Sequence, residues 1–289
     1  MPGQPVSRRL ALPTGLTYRV LEWAAPRPSE TTYVLVHGFL DFAYGWHEVA
    51  PVIAEAANAH VVAVDLRGHG DSDWIGAGGY YHFMDYVADL DAVIARVAKQ
   101  RVIVVGHSMG GNVASYWAGT RPDRLAGLAL LEGLGPPDQS EVDLGRRAGL
   151  WIDAWRNART TFKPIATLEL AAARLRKHDP LLGEALSLRL AEHGATRTEG
   201  GYVWKHDPLH LTSGAYPFRR DAAAQFWKRI TCPVIVVDGA KTELNLPEPE
   251  RAIRRGYFAN VRHEILAESG HMMARHQPAE LATILATLA

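Results

Sequence analysis

Short, continuous apolar runs punctuate the chain at residues 33–36, 61–64, 102–105, 125–131 and 233–237, with a weaker one at 261–266. Apolar positions that do not alternate with polar ones suit strands covered on both faces, as in a mainly parallel sheet. A second period separates these runs. Phe83, Val87, Leu90, Val93, Ile94 and Val97 recur at three- and four-residue intervals, which predicts a helix with one buried stripe. Alternation of the two periods predicts βαβ units and an α/β fold.

The regularity breaks once. Between Glu132 and Pro233 the chain has helical, Arg- and Leu-rich segments at 168–176 and 181–193 and a Trp-bearing stretch at 150–155, with no strand pattern before Tyr202. A structureless loop of that length is improbable in a globular protein. Residues 136–212 are therefore expected to form a helical cap over the sheet, with 1–135 and 213–289 making the core domain.

Composition narrows the possible partners. The 289 residues are 47% hydrophobic, enough for a sizeable core, and 31 basic side chains balance 31 acidic ones. A neutral chain lacks the basic field that nucleic acid or an anionic membrane requires. The single cysteine, Cys232, permits no intramolecular disulfide and reads as a small buried hydrophobe. The opening Met1-Pro2-Gly3-Gln4-Pro5 leads into no apolar run of secretory length, and no run could span a bilayer. The expectation is a cytoplasmic monomer or homodimer that engages neither membrane nor nucleic acid.

The candidate chemistry centres on Gly106-His107-Ser108-Met109-Gly110, a G-x-S-x-G motif placed after a predicted strand and before a predicted helix. A sharp turn there would push the Ser108 hydroxyl out of the sheet edge, under the positive end of the following helix. Val36-His37-Gly38-Phe39 follows another strand. The backbone N–H groups of Phe39 and Met109 are candidate oxyanion donors, each contributing about 3 kcal/mol to such a transition state. His37 and His107 read as structural. Of 13 histidines, His271 is singled out as the general base by its Ser269-Gly270-His271 turn after the last strand. A carboxylate must accept the second imidazole N–H. Three candidates stand at or near strand ends: Glu132, Asp238 and Glu243.

Together, Gly106–Gly111, Asp65-Leu66-Arg67-Gly68-His69-Gly70-Asp71-Ser72, His37-Gly38 and Gly270-His271 resemble the α/β-hydrolase superfamily over nearly the whole chain outside the cap. Tyr81-His82, Asp85-Tyr86-Val87 and Leu131-Glu132-Gly133-Leu134-Gly135-Pro136 are similar to its serine-hydrolase-like, kraken-type branch. The resemblance implies an eight-stranded, mainly parallel sheet with helices on both faces and a cap inserted after the sixth strand. It also implies an aspartate three residues after the glycine ending the seventh strand, where this chain has Thr242. Some relatives take the acid from the end of the sixth strand, the position of Glu132. Glu132 is thus the expected acid, with Asp238 and Glu243 as alternatives. The 65–72 loop is read as structural.

Serine at the elbow implies an acyl-enzyme, whereas dehalogenases and epoxide hydrolases of this fold use aspartate. No metal-binding motif and no cofactor site is found. Leu40, Trp46, Trp74, Trp151 and Trp155 are the expected pocket walls, and Phe42 stands among them. No arginine cluster is evident at a pocket position, which disfavours a strongly anionic substrate. The expected activity is cleavage of small carboxylic esters, lactones among them, with an apolar acyl or alcohol group. The competing readings are a C–C bond hydrolase or acyltransferase using the same groups, and a slow-turnover ligand receptor.

Overall fold

The computed structural model describes residues 3–289. Its strands are β1 (Val6–Ala11), β2 (Thr17–Trp23), β3 (Thr31–Val36), β4 (His60–Val64), β5 (Arg101–His107), β6 (Gly127–Leu131), β7 (Ala195–Thr198), β8 (Gly201–Trp204), β9 (Val234–Gly239) and β10 (Val261–Leu266). Eight of them form one sheet in the order β1-β2-β4-β3-β5-β6-β9-β10. β1 and β2 run antiparallel, and β4, β3, β5, β6, β9 and β10 pair in parallel.

The six apolar runs are the six parallel strands. Along each, successive residues point to opposite faces, and both faces are covered in all but β10, an edge strand with Arg262 and Ile265 exposed. Val34, Val62, Val104, Leu128 and Val236 pack with α2 (Phe83–Val97), α3 (Met109–Thr120) and α7 (Arg220–Trp227). Tyr33, Leu35, Val61, Val105, Leu131 and Val237 pack with α1 (Ala50–Ala56) and α10 (Pro278–Ala286) on the other side. Each fully buried aliphatic side chain contributes about 1.5–3 kcal/mol. β1 and β2 are strands that the apolar pattern did not mark. β1 is an edge strand with five of six residues exposed, and Arg19 and Glu22 interrupt β2.

The interval after β6 holds α4 (Leu144–Arg156), α5 (Leu168–His178) and α6 (Glu184–Gly194). It also holds the antiparallel β7–β8 hairpin, whose first strand lies before Tyr202, where no strand pattern is read from the sequence. The hairpin strands are four residues each, too short and too polar in β7 (Ala195-Thr196-Arg197-Thr198) to read as a period-two run. The segment ties back to the sheet through Asp207 N–H to Gly68 O (2.8 Å) and the Trp74 indole N–H to Lys205 O (3.1 Å). α8 (Glu248–Arg255) and the short α9 (Met273–His276) complete the helices.

The ends of β3 and β5 meet the first turn of α3 at contact distance. A Cβ added to Gly110 would lie 2.4 Å from His37 O and 2.5 Å from Val36 O. Both obstacles are backbone atoms, at the last residue of the central strand β3 and the one after it, and cannot rotate away as a side chain would. Gly110→Ala is therefore expected to destabilise the fold by about 2 kcal/mol or more. Urea denaturation followed by circular dichroism checks this, and a midpoint equal to that of the unmutated protein would contradict the packing.

Candidate active site

Ser108 occupies the turn between β5 and α3 with φ 52° and ψ −119°. A non-glycine residue in this region stores of order 1–3 kcal/mol of strain, which the surroundings must hold. Here the backbone holds it. Ser108 N–H donates to Leu131 O (2.9 Å), and its carbonyl accepts from Gly111 (3.0 Å) and Asn112 (3.1 Å). The loop after β3 passes directly over this turn, because a Cβ on Gly38 would lie 3.2 Å from Ser108 Cβ. Phe39 follows Gly38, and Met109 is the first residue of α3, whose N–H has no acceptor within the helix. Met109 thus adjoins Ser108 in the chain, and Phe39 is the residue after the one that approaches it.

His271 arrives from the loop after β10. The neighbour of the serine anchors it: the His107 Nε2–H donates to the His271 carbonyl oxygen (2.9 Å), and the two rings lie 4.7 Å apart. Burial, with His271 as a second cause, pushes His107 down to about 3, so His107 is a neutral donor. The His271 Nδ1–H donates to Glu132 Oε2 at 2.6 Å. This bond fixes the tautomer and leaves Nε2 with its lone pair.

Glu132 stands at the end of β6 with φ 44°, and its side chain is 2% exposed. All its acceptor capacity is directed inward. Oε1 accepts from Gly239 N–H (3.0 Å), and Oε2 accepts from the Thr242 hydroxyl (3.0 Å) as well as from His271. The other two acid candidates are elsewhere. Asp238 is bonded to Arg251 (2.6 Å), His263 (2.8 Å) and Asn245 (2.9 Å), and Glu243 is exposed. Thr242 had counted only as a missing aspartate. Its hydroxyl instead donates to Glu132 at the end of the neighbouring strand.

Two further residues reach the His271 loop without any signal in the sequence. His276 Nδ1 accepts from Gly270 N–H (3.1 Å), and its Nε2–H donates to Asp179 Oδ1 (2.8 Å) beyond α5. The inserted segment is thereby bonded to the residue before His271. His37 has the structural role expected of it, donating from Nδ1 to Gly38 O (2.7 Å) and accepting at Nε2 from Leu66 N–H (3.0 Å). In the 65–72 loop the organising group is Asp65, which accepts from Ala43 N–H (2.6 Å), Arg19 Nε–H (2.6 Å) and Asp71 N–H (2.8 Å).

A cavity of about 410 Å³ lies between the inserted segment and the loops after β3 and β10. Leu40, Phe42, Leu175, Leu190 and Trp204 supply its apolar walls. The tryptophans expected there do not line it. Trp46 is 2% exposed and belongs to the core beside α1. Trp74 is exposed and bonded to Lys205 O. Trp151 and Trp155 stack on each other at 5.3 Å against Tyr80. Contrary to expectation, Arg174, Lys205 and Arg275, distant in sequence, all line this cavity.

Several histidines near the site are held neutral by burial. His210 falls to about 3 and His206 to about 4, like His107 at about 3. Unfolded, each would titrate near 6.5. Below that pH the unfolded chain takes up protons that the folded chain refuses, so stability is full above about 6.5 and falls as pH drops towards 4. Each histidine contributes a slope of at most about 1.4 kcal/mol per pH unit. Thermal melts at pH 7.5, 5.5 and 4.5 should show a monotonic fall in Tm, and a Tm independent of pH would contradict the burial of neutral imidazoles.

Among the described residues no helix is long and apolar enough to cross a membrane, and no three His, Cys, Asp or Glu side chains are grouped to hold a metal ion. Comparison with known proteins adds the following. A family model described as alpha/beta hydrolase fold matches residues 33–274. A serine hydrolase-like protein of Danio rerio is 30% identical over 187 residues, covering 62% of this chain and 56% of that protein, little more than half its length. Lipase LipV of Mycobacterium tuberculosis is 27% identical over 276 residues, covering 89% of this chain and 93% of that protein. A solved thioesterase domain from the curacin biosynthetic pathway superposes with a TM-score of 0.85 at 27% identity, covering 98% of this chain and 99% of that one.

Proposed function

The chain belongs to the α/β-hydrolase family, and on that premise we propose that it is a cofactor-independent serine hydrolase acting on carboxylic esters, lactones included, through an acyl-enzyme on Ser108. The observation that carries the proposal is the 2.6 Å bond from His271 Nδ1–H to the buried Glu132 carboxylate, made in the loop that His107 ties to the serine. An imidazole so held keeps Nε2 free to serve as the base.

In the proposed reaction the His271 Nε2 takes the Ser108 proton as Oγ attacks the ester carbonyl carbon. The Phe39 and Met109 N–H groups take up the charge on the carbonyl oxygen, and Glu132 stabilises the imidazolium. Collapse returns the His271 proton to the departing alkoxide and leaves the acyl group on Oγ. Water then repeats the sequence, giving up its proton to His271 and releasing the carboxylic acid. Serine in place of aspartate at the elbow supports an acyl-enzyme over the alkyl-enzyme ester of dehalogenases and epoxide hydrolases.

The test is hydrolysis by the intact protein of p-nitrophenyl esters of graded chain length and of γ- and δ-lactones, alongside a vinylogous 1,5-diketone. Hydrolysis of esters with a chain-length optimum is expected. Turnover of the diketone alone would replace the ester reading with C–C bond cleavage, and turnover of neither would refute both.

A further inference from the structure

We propose that the cavity beneath the inserted segment receives the far end of the substrate, and that this end carries a carboxylate. The enzyme would then act on monoesters of aliphatic dicarboxylic acids. This rests on the ester hydrolysis proposed above and names the class of ester.

The location comes first. Leu40 and Phe42 line the cavity directly after Phe39, and Arg275 lines it in the helical turn that follows His271. Ser108, His271, Phe39 and Met109 do not themselves line it; part of its wall comes from the same two loops that carry Phe39 and His271. On the proposed mechanism a chain whose ester lies at the serine would extend past those loops into this space, and the apolar walls suit methylene groups.

The charge comes next. Three cations line the cavity, and the acids against them number two. Arg275 Nη2 pairs with Asp41 at 2.8 Å, both side chains being 9% exposed, and Lys205 Nζ pairs with Asp71 at 2.8 Å. Asp71 is shared with Arg19, which Asp65 also balances, and Arg174, an exposed residue of α5, makes no salt bridge among the described residues. One positive charge is left over, matched by a monoanion and exceeded by a phosphate dianion. A guanidinium fork matches a carboxylate in geometry as well as in charge.

The experiment compares kcat/KM of the intact protein for monomethyl adipate and dimethyl adipate, read as methanol release at neutral pH and low salt. The same ratio is measured for Arg174→Met, which keeps the apolar stem, and Arg174→Lys, which keeps the charge. Adipate binding to each protein is followed by calorimetry. The unmutated protein should prefer the monoester about tenfold. Arg174→Met should abolish the preference and weaken adipate binding about tenfold, Arg174→Lys should retain most of both, and about 1 M salt should shrink the preference. Equal or better use of the diester, or a preference that survives in Arg174→Met, overturns the carboxylate site while leaving ester hydrolysis standing. Adipate binding that depends on Arg174, with neither ester hydrolysed, supports the site and refutes the ester reading.

Discussion

Ser108→Ala is expected to lower ester turnover by about 10⁴- to 10⁶-fold, the range over which serine nucleophiles are lost, with the remainder supplied by the oxyanion donors and by substrate binding. The folded state should survive. The contacts that hold this strained residue run through its backbone, from its N–H to Leu131 and from its carbonyl to Gly111 and Asn112, and an alanine keeps all three. The two readouts together make the prediction specific. Turnover that collapses while Tm changes by only a degree or two assigns the hydroxyl to chemistry. Turnover that persists above about a tenth of normal would mean that another group attacks, or that the protein is a receptor with incidental activity.

The second large effect is expected at Glu132. Glu132→Gln should cost about 10³- to 10⁴-fold in kcat, with KM little changed, because it removes charge needed only when the imidazolium forms. The geometry makes the amide worse than a neutral spectator. Oε1 faces the Gly239 N–H while Oε2 faces the His271 Nδ1–H and the Thr242 hydroxyl. Whichever way the amide turns, its NH₂ confronts a donor. Asp238→Asn and Glu243→Gln are the controls. Asp238 serves Arg251, His263 and Asn245, so its loss should lower stability and change kcat less than about tenfold. Exposed Glu243 should tolerate the change. A large loss of kcat confined to either control, with Glu132→Gln active, would move the acid to that residue.

What was legible in the sequence follows the physics of each signal. The five inner parallel strands could be read because burial on both faces leaves an unbroken apolar run, and the elbow because its glycines stand where a side chain would clash: a Cβ added to Gly106 would lie 2.4–2.6 Å from Gly110 O, Gly111 Cα and Gly111 N. The edge pair β1–β2 and the β7–β8 hairpin were hidden, being short, polar or half-exposed. Residue identity alone left Glu132, Asp238 and Glu243 open, since all three stand at or near strand ends. Register separates them: β6 pairs with β5 at His107↔Leu131, which sets Glu132 beside the elbow. Neither the Thr242 hydroxyl nor the Asp179–His276 tie could be foreseen, because each depends on which segments pack together. The tryptophans misled for the same reason. An aromatic near a motif is as suited to the core, where Trp46 lies, as to a wall. The cations of the cavity come from α5, the segment after β8 and α9, separated by up to a hundred positions, and no local pattern joins them.

In the proposed mechanism the imidazole at 271 activates the hydroxyl at 108. The most direct measurement is the rate of covalent labelling by a fluorophosphonate, with the modified peptide identified by mass spectrometry, for the folded protein and for His271→Ala. The account predicts a single phosphonylated residue, Ser108, and a labelling rate at least about a hundredfold slower without the imidazole. No label on the folded protein, a label on another residue, or an equal rate in His271→Ala would contradict it.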